Sequence, residues 1–145
     1  MKLTNNFSLE ELTVSQTALR NNIDNDPSKE HIENLRLLCE NILQPLREDY
    51  NLPLVISSGY RSKKLAGLVG SKITSQHCFG CAADFIIPGV DNKKVFKHIV
   101  ENLPMDQVIL EYYTEENGGW IHVSYIPNGR GQALTKDKEG YKTWQ

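Results

Sequence analysis

The chain has 145 residues, 39% of them apolar and 23% charged, which suits one globular domain with a real core. Its formal net charge of −2 and the lack of any Lys/Arg block give no electrostatic case for nucleic acid as a partner. No apolar run approaches the roughly eighteen residues of a membrane span, and Met1 to Asn6 lack the apolar stretch of a signal peptide, so the expectation is a single domain over 1–145 made in the cytoplasm.

Ser8-Leu9-Glu10-Glu11 is a capping-box pattern and predicts a short helix near the N-terminus. Asp26-Pro27-Ser28 announces a longer helix, in which Ile32, Leu35, Leu38, Cys39, Ile42, Leu43 and Leu46 recur at helical spacing as one apolar stripe. Pro45 falls inside that stripe and predicts a kink. Leu52 to Ser57 is a short β-branched run, expected as a strand. Tyr60 to Leu68 reads as a loop and a short helix, and Gly70 to Ser75 as a polar approach to the segment that follows. Ala82 to Ile87 reads as a buried strand stopped by Pro88-Gly89, after which Asp91 caps a helix carrying Val95, Phe96, Ile99, Val100 and Leu103.

Gln107 to Tyr113 and Trp120 to Tyr125 predict a hairpin across a polar loop. Alternation assigns Val108, Leu110, Tyr112, Ile121, Val123 and Tyr125 to the core face, and Gln107, Ile109, Glu111, Trp120, His122 and Ser124 to the other. Gly131 to Trp144 suggests one last strand and a turn at Lys138-Glu139-Gly140. Helices first and antiparallel strands later make the class α+β, with N-terminal helices packed on a small, mainly antiparallel sheet.

Ser75-Gln76-His77-Cys78-Phe79-Gly80-Cys81-Ala82-Ala83-Asp84 is the most informative stretch. It sets a His and an Asp seven residues apart, and His122 lies in a separate apolar run, Trp120-Ile121-His122-Val123. Two imidazoles and one carboxylate are a zinc ligand set that leaves a fourth position for water, the mark of a catalytic rather than a structural site. Asp84 inside an apolar strand needs a partner, a cation or else a salt bridge to an Arg or Lys. Cys78 and Cys81 form a C-x-x-C with no second pair, and with Cys39 they make an odd number, so small-residue packing is expected rather than a metal site or disulfide framework. His31 and His98 have no ligand partner at short spacing and are expected to be partly exposed.

Ser75-x-His77-x-x-Gly80-x-Ala82-x-Asp84 resembles the signature of the zinc D-alanyl-D-alanine peptidases, a family that includes peptidoglycan carboxypeptidases, dipeptidases and phage endolysins and shares the hedgehog-like fold. Trp120 to Val123 resembles its third-ligand strand, and Ser57-Ser58-Gly59-Tyr60-Arg61-Ser62 its upstream motif; the likeness runs from about Leu9 to about Ile126. The resemblance implies one Zn2+ per chain on His77, Asp84 and His122, and hydrolysis of a peptidoglycan stem peptide by a zinc-activated water. It implies that Arg61 faces the substrate carbonyl, the oxyanion or a terminal carboxylate, and that Ser75 hydrogen-bonds the peptide. The absence of a signal peptide fits a phage or prophage endolysin released to the cell wall through a holin-type pore, or a recycling enzyme inside the cell, and a monomer is expected.

Many members carry an acid three residues before the last His ligand, where this chain has Gly119. The general base must come from elsewhere, and alternation selects Glu111, beside His122; Glu115 and Glu116 in the hairpin loop are the other candidates. A chain without a base would instead be a catalytically silent, zinc-containing peptide-binding module on the same fold. Gly67 to Ser75 and Thr114 to Gly119 are the loops expected to shape the cleft.

Overall fold

The computed structural model describes residues 1–145. A two-stranded antiparallel ribbon, β1 (Lys2–Thr4) and β2 (Phe7–Ser8), leads into α1 (Leu9–Thr13). Ser8 caps α1 as its sequence predicts, its hydroxyl accepting from the Glu11 amide. A second short helix, α2 (Gln16–Arg20), starts at Ser15, whose hydroxyl accepts from the Ala18 amide. The ribbon and α2 carry no apolar periodicity and were not expected.

The predicted long helix runs from α3 (Lys29–Leu38) through a π-helical turn, Cys39–Leu43, into α4 (Gln44–Tyr50). Pro45 does not kink it in the expected way. The Gln44 amide donates to the Cys39 carbonyl, one residue further back than in an α-helix, so the ladder is already widened where the proline lacks its donor. The apolar stripe survives this turn, and Leu35, Leu38, Cys39, Ile42, Leu43 and Leu46 are all fully buried.

Six further strands form one sheet: β3 (Val55–Ser58), β4 (Ala82–Ile86), β5 (Gln107–Glu111), β6 (Trp120–Ser124), β7 (Gln132–Asp137) and β8 (Gly140–Thr143). Their order is β3-β4-β6-β5-β7-β8, and every neighbouring pair is antiparallel except β5–β7. α5 (Lys63–Leu68) follows β3, and α6 (Asn92–Asn102) starts at the Asp91 cap. No helix is long and apolar enough to cross a membrane. The class is α+β. The tail is two strands rather than one, because Asp137 to Gly140 closes a hairpin between them.

The core lies between the helices and one sheet face. Leu38, Leu43, Val95, Phe96 and Ile99 meet Ala83, Phe85, Val108, Leu110, Ile121 and Val123. Tyr112, expected on that face, is not there. Its φ of +54° ends the strand's alternation, and its ring is 41% exposed and packed on Trp120 at 5.4 Å between centroids. Tyr125 packs against the core as expected, partly buried.

The connection from β6 to β7 must pass the start of β5 to reach its far side. Buried Asp106 is the post it wraps: its carboxylate accepts from the Arg130 amide and guanidinium, and its carbonyl accepts from the Gln132 amide. Gly129 packs so closely that a Cβ would come within 2.7 Å of the Asp106 Cα.

Two glycines separate backbone constraint from mere flexibility. A Cβ on Gly59 would stand 2.2 Å from the Leu12 carbonyl oxygen, whereas one on Gly67 in α5 would meet nothing within 4 Å. Gly59→Ala is expected to destabilise the fold by more than about 2 kcal/mol, and Gly67→Ala to stabilise it by roughly 0.5–1 kcal/mol. Urea unfolding of the two variants checks the opposite signs.

Candidate metal centre

The sheet register builds the site. Asp84 on β4 lies directly opposite His122 on β6, and His122 lies opposite Ile109 on β5. Directly opposed residues share a face, so this row stands on the face away from the main core. Two positions along, Trp120, Glu111, Lys136 and Tyr141 form a second row across β6, β5, β7 and β8. His77 arrives from outside the sheet, on a 3-10 turn, Gln76–Phe79, capped by the Ser75 hydroxyl and closed by Gly80 at φ +76°. A Cβ on Gly80 would fall 2.4 Å from the His31 carbonyl oxygen, which explains the glycine between the two motif residues.

The three donor atoms of His77, Asp84 and His122 lie within 4.8 Å of one another. His77 Nε2 is 3.3 Å from Asp84 Oδ1, and His122 Nδ1 is 2.9 Å from the same oxygen. The His77 ring is oriented by its other nitrogen, Nδ1, 2.7 Å from the Gly59 carbonyl oxygen. A carbonyl only accepts, so Nδ1 carries the hydrogen and the Nε2 of a neutral imidazole turns a lone pair toward Asp84. Two acceptors cannot face each other at 3.3 Å unless a proton or a cation lies between them. Ligands about 2.0–2.1 Å from a tetrahedral zinc are spaced about 3.3 Å apart, so the donor set and its spacing fit that ion.

Burial alone would raise the Asp84 carboxyl, but the His122 and His77 imidazoles beside it outweigh that and hold the group well below the usual carboxylate range. Its second oxygen, Oδ2, is 3.7 Å from Arg61 Nη2. The salt bridge and the metal readings of Asp84 are therefore compatible, since each takes a different oxygen. Arg61 is held in place by its own amide, which donates to the His77 carbonyl at 3.0 Å. Next to it, Asn25 accepts from the Ser62 amide and donates to the carbonyls of Tyr60 and Thr13.

The triad opens into a cleft of about 400 Å³ that Arg61, Ser75, Gln76, Glu111, Trp120 and Lys136 help to line. Glu111 is half-buried on the second row, and desolvation and the nearby Asp84 charge raise its carboxyl. Gly119 has no room for an acid: its φ is +76°, and a Cβ there would stand 2.0 Å from the Glu111 carbonyl oxygen. Glu115 and Glu116 are exposed and line no part of the cleft. Their loop is tied instead to α6, where the Asn92 amide donates to the Asn117 side chain and the Asn92 side chain to the carbonyls of Gly118 and Gly119.

The expectation that Thr114 to Gly119 shapes the cleft is thus corrected. The C-terminal hairpin takes that place, contributing Lys136 and Tyr141. Ser71 and Ser75 of the other expected loop do line the cleft. The three cysteines are free and buried, and burial pushes the Cys39 thiol up to about 12 and raises those of Cys78 and Cys81. His31 and His98 are half-buried and apart from the triad.

Sequence reading missed Asn25, Gln76, Asp106, Lys136 and Tyr141. Gln76 Nε2 donates to Asp106 Oδ2, so one buried carboxylate steadies both the His77 turn and the β6–β7 connection. The Arg130 hydrogen bonds draw the Asp106 carboxyl down from 3.8 to about 2. A depressed acid contributes its stability above its unfolded value and loses it as pH falls through its folded value. Asp106→Asn is expected to cost about 2 kcal/mol at pH 7, with the deficit shrinking from about pH 4 and gone below about pH 2; urea unfolding across that range measures it.

No curated protein matches the chain. The family model described as Peptidase M15 matches residues 5–124, which include His77, Asp84, Glu111 and His122. That family is one of zinc-dependent peptidases, and the His-Asp-His group fits it. The chain belongs to the Peptidase M15 family.

Proposed function

We propose that the protein hydrolyses peptide bonds in peptidoglycan stem peptides, with zinc held by His77 Nε2, Asp84 and His122 Nδ1. The observation that carries this is the Asp84 oxygen shared between two imidazoles, one of them locked by Gly59 so that its free lone pair points inward. The chemistry such a zinc supplies is polarisation of a carbonyl and acidification of a water.

The chain's own residues do the rest. Glu111 accepts the water's proton and returns it to the leaving amine, a cycle favoured by the upward shift that burial gives its carboxyl. Arg61 offers its guanidinium to the substrate carbonyl or a carboxylate, oriented by the Asp84 carboxylate and the Ser71 hydroxyl. Ser75 binds the peptide at the cleft wall while its hydroxyl caps the His77 turn. Stem peptides suit this site because their free carboxylates match its cations. Carboxypeptidase and endopeptidase action differ only in which bond lies across the triad, and product mass distinguishes them.

Two variants test the assignment. The wild type is expected to bind about one zinc per chain and to release products from purified muropeptides, and His122→Ala to lose both. Glu111→Gln is expected to keep zinc while turnover drops by roughly 10²–10⁴-fold. Zinc binding with no turnover in the wild type would instead identify a silent binding module, and absence of zinc binding would overturn the metal assignment.

A further inference from the structure

The family match stops at residue 124, yet the cleft does not. Its far wall is built by β7 and β8, which contribute Lys136 and Tyr141. Lys136 stands directly beside Glu111 in the β5–β7 register and directly beside Tyr141 in the β7–β8 register. Its ammonium lies 4.9 Å from the Tyr141 ring centroid and 5.9 Å from that of Tyr112. Two aromatic faces thus steer a long, flexible side chain to one place and favour its charged form there. Tyr112 reaches that spot through its φ of +54°, which turns it off the core face.

The neighbouring Tyr141 hydroxyl and Glu111 carboxylate both favour the charged form of Lys136, yet neither closes an ion pair with it. Lys136 takes part in none of the molecule's ion pairs. Next to it, the buried Trp120 Nε1 faces the Glu111 carboxylate without reaching hydrogen-bond geometry. Besides the histidines, Arg61 and Lys136 are the two cationic side chains lining the cleft. They come from opposite sides of the sheet: Arg61 follows β3, and Lys136 is on β7. The triad lies between them, on β4 and β6.

We propose that Lys136, braced by Tyr141 and Tyr112, is a specificity-determining residue that binds a substrate carboxylate on the side of the scissile bond opposite Arg61. The substrate class is then a peptide bearing a carboxylate on each side of the bond that is cut. This rests on the peptidase reading above, but its test does not require turnover.

The probe is the tetrapeptide L-Ala-γ-D-Glu-L-Lys-D-Ala, compared with the same peptide amidated at the D-Glu α-carboxyl or at the C-terminus. Titration calorimetry on zinc-loaded Glu111→Gln protein reads binding without hydrolysis. Each amidation is expected to weaken binding by about ten- to a hundredfold, the range for a charge-assisted hydrogen bond. Adding Lys136→Met, or Lys136→Gln as the polar alternative, is expected to erase one of the two penalties and leave the other, while Lys136→Arg retains both.

Penalties that survive both substitutions, or the absence of any penalty, would overturn the assignment. Hydrolysis of the unmodified peptide by the wild type is read separately. No turnover together with a Lys136-dependent penalty would sink the peptidase reading and support the role of Lys136.

Discussion

Everything in this site depends on one register, Asp84 opposite His122. Side chains in a strand alternate with a period of two, so a slip of β4 by one residue would carry Asp84 into a core of Phe85, Ile121 and Val123 and part it from His122. The hydrophobic residues on the opposite face prevent that slip. The burial of Ala83, Phe85 and Val123 therefore positions a carboxylate and an imidazole that touch none of them. The buried carboxylate in turn creates a demand for positive charge, which His77, His122 and Arg61 surround from three directions.

The second organising element is backbone carbonyls. His77 is not on the sheet, and a turn alone would leave its ring free to rotate. The Gly59 carbonyl fixes it from behind, and Gly59 can take that position only because it has no Cβ to strike α1. The Arg61 amide closes the loop back onto His77. Two motifs about fifteen residues apart in the chain are thus tied directly to each other.

Much of this was legible in the sequence, because it is periodic. The stripe from Ile32 to Leu46, the alternation in β5 and β6 and the cap at Ser8 all follow local rules, and that alternation placed Glu111 beside the triad. What was not legible depends on contacts distant in the chain. No local pattern announces that β7 pairs in parallel with β5, so Lys136 and Tyr141 could not be assigned to the cleft. Tyr112 obeyed the alternation on paper and broke it through a single left-handed residue. Asn25 and Asp106 are ordinary polar residues in sequence, and their importance lies in which backbone groups they meet. Pro45 was recognised as a disturbance, but a widened turn upstream absorbs it without bending the stripe away from the core.

The parallel placement of β7 also bears on how the chain avoids sticking to its neighbours. Until β7 arrives, β5 presents Val108, Ile109 and Leu110 along an unpaired edge, the kind of surface that templates association with other chains. A tight hairpin turn cannot supply a parallel partner, so the edge stays open until the connection has wrapped past Asp106. Once it has, the outermost strand is Gly140-Tyr141-Lys142-Thr143, short and largely exposed, with a lysine on it. The last hairpin thus replaces an adhesive edge with a soluble one, a protective role independent of anything the cleft binds.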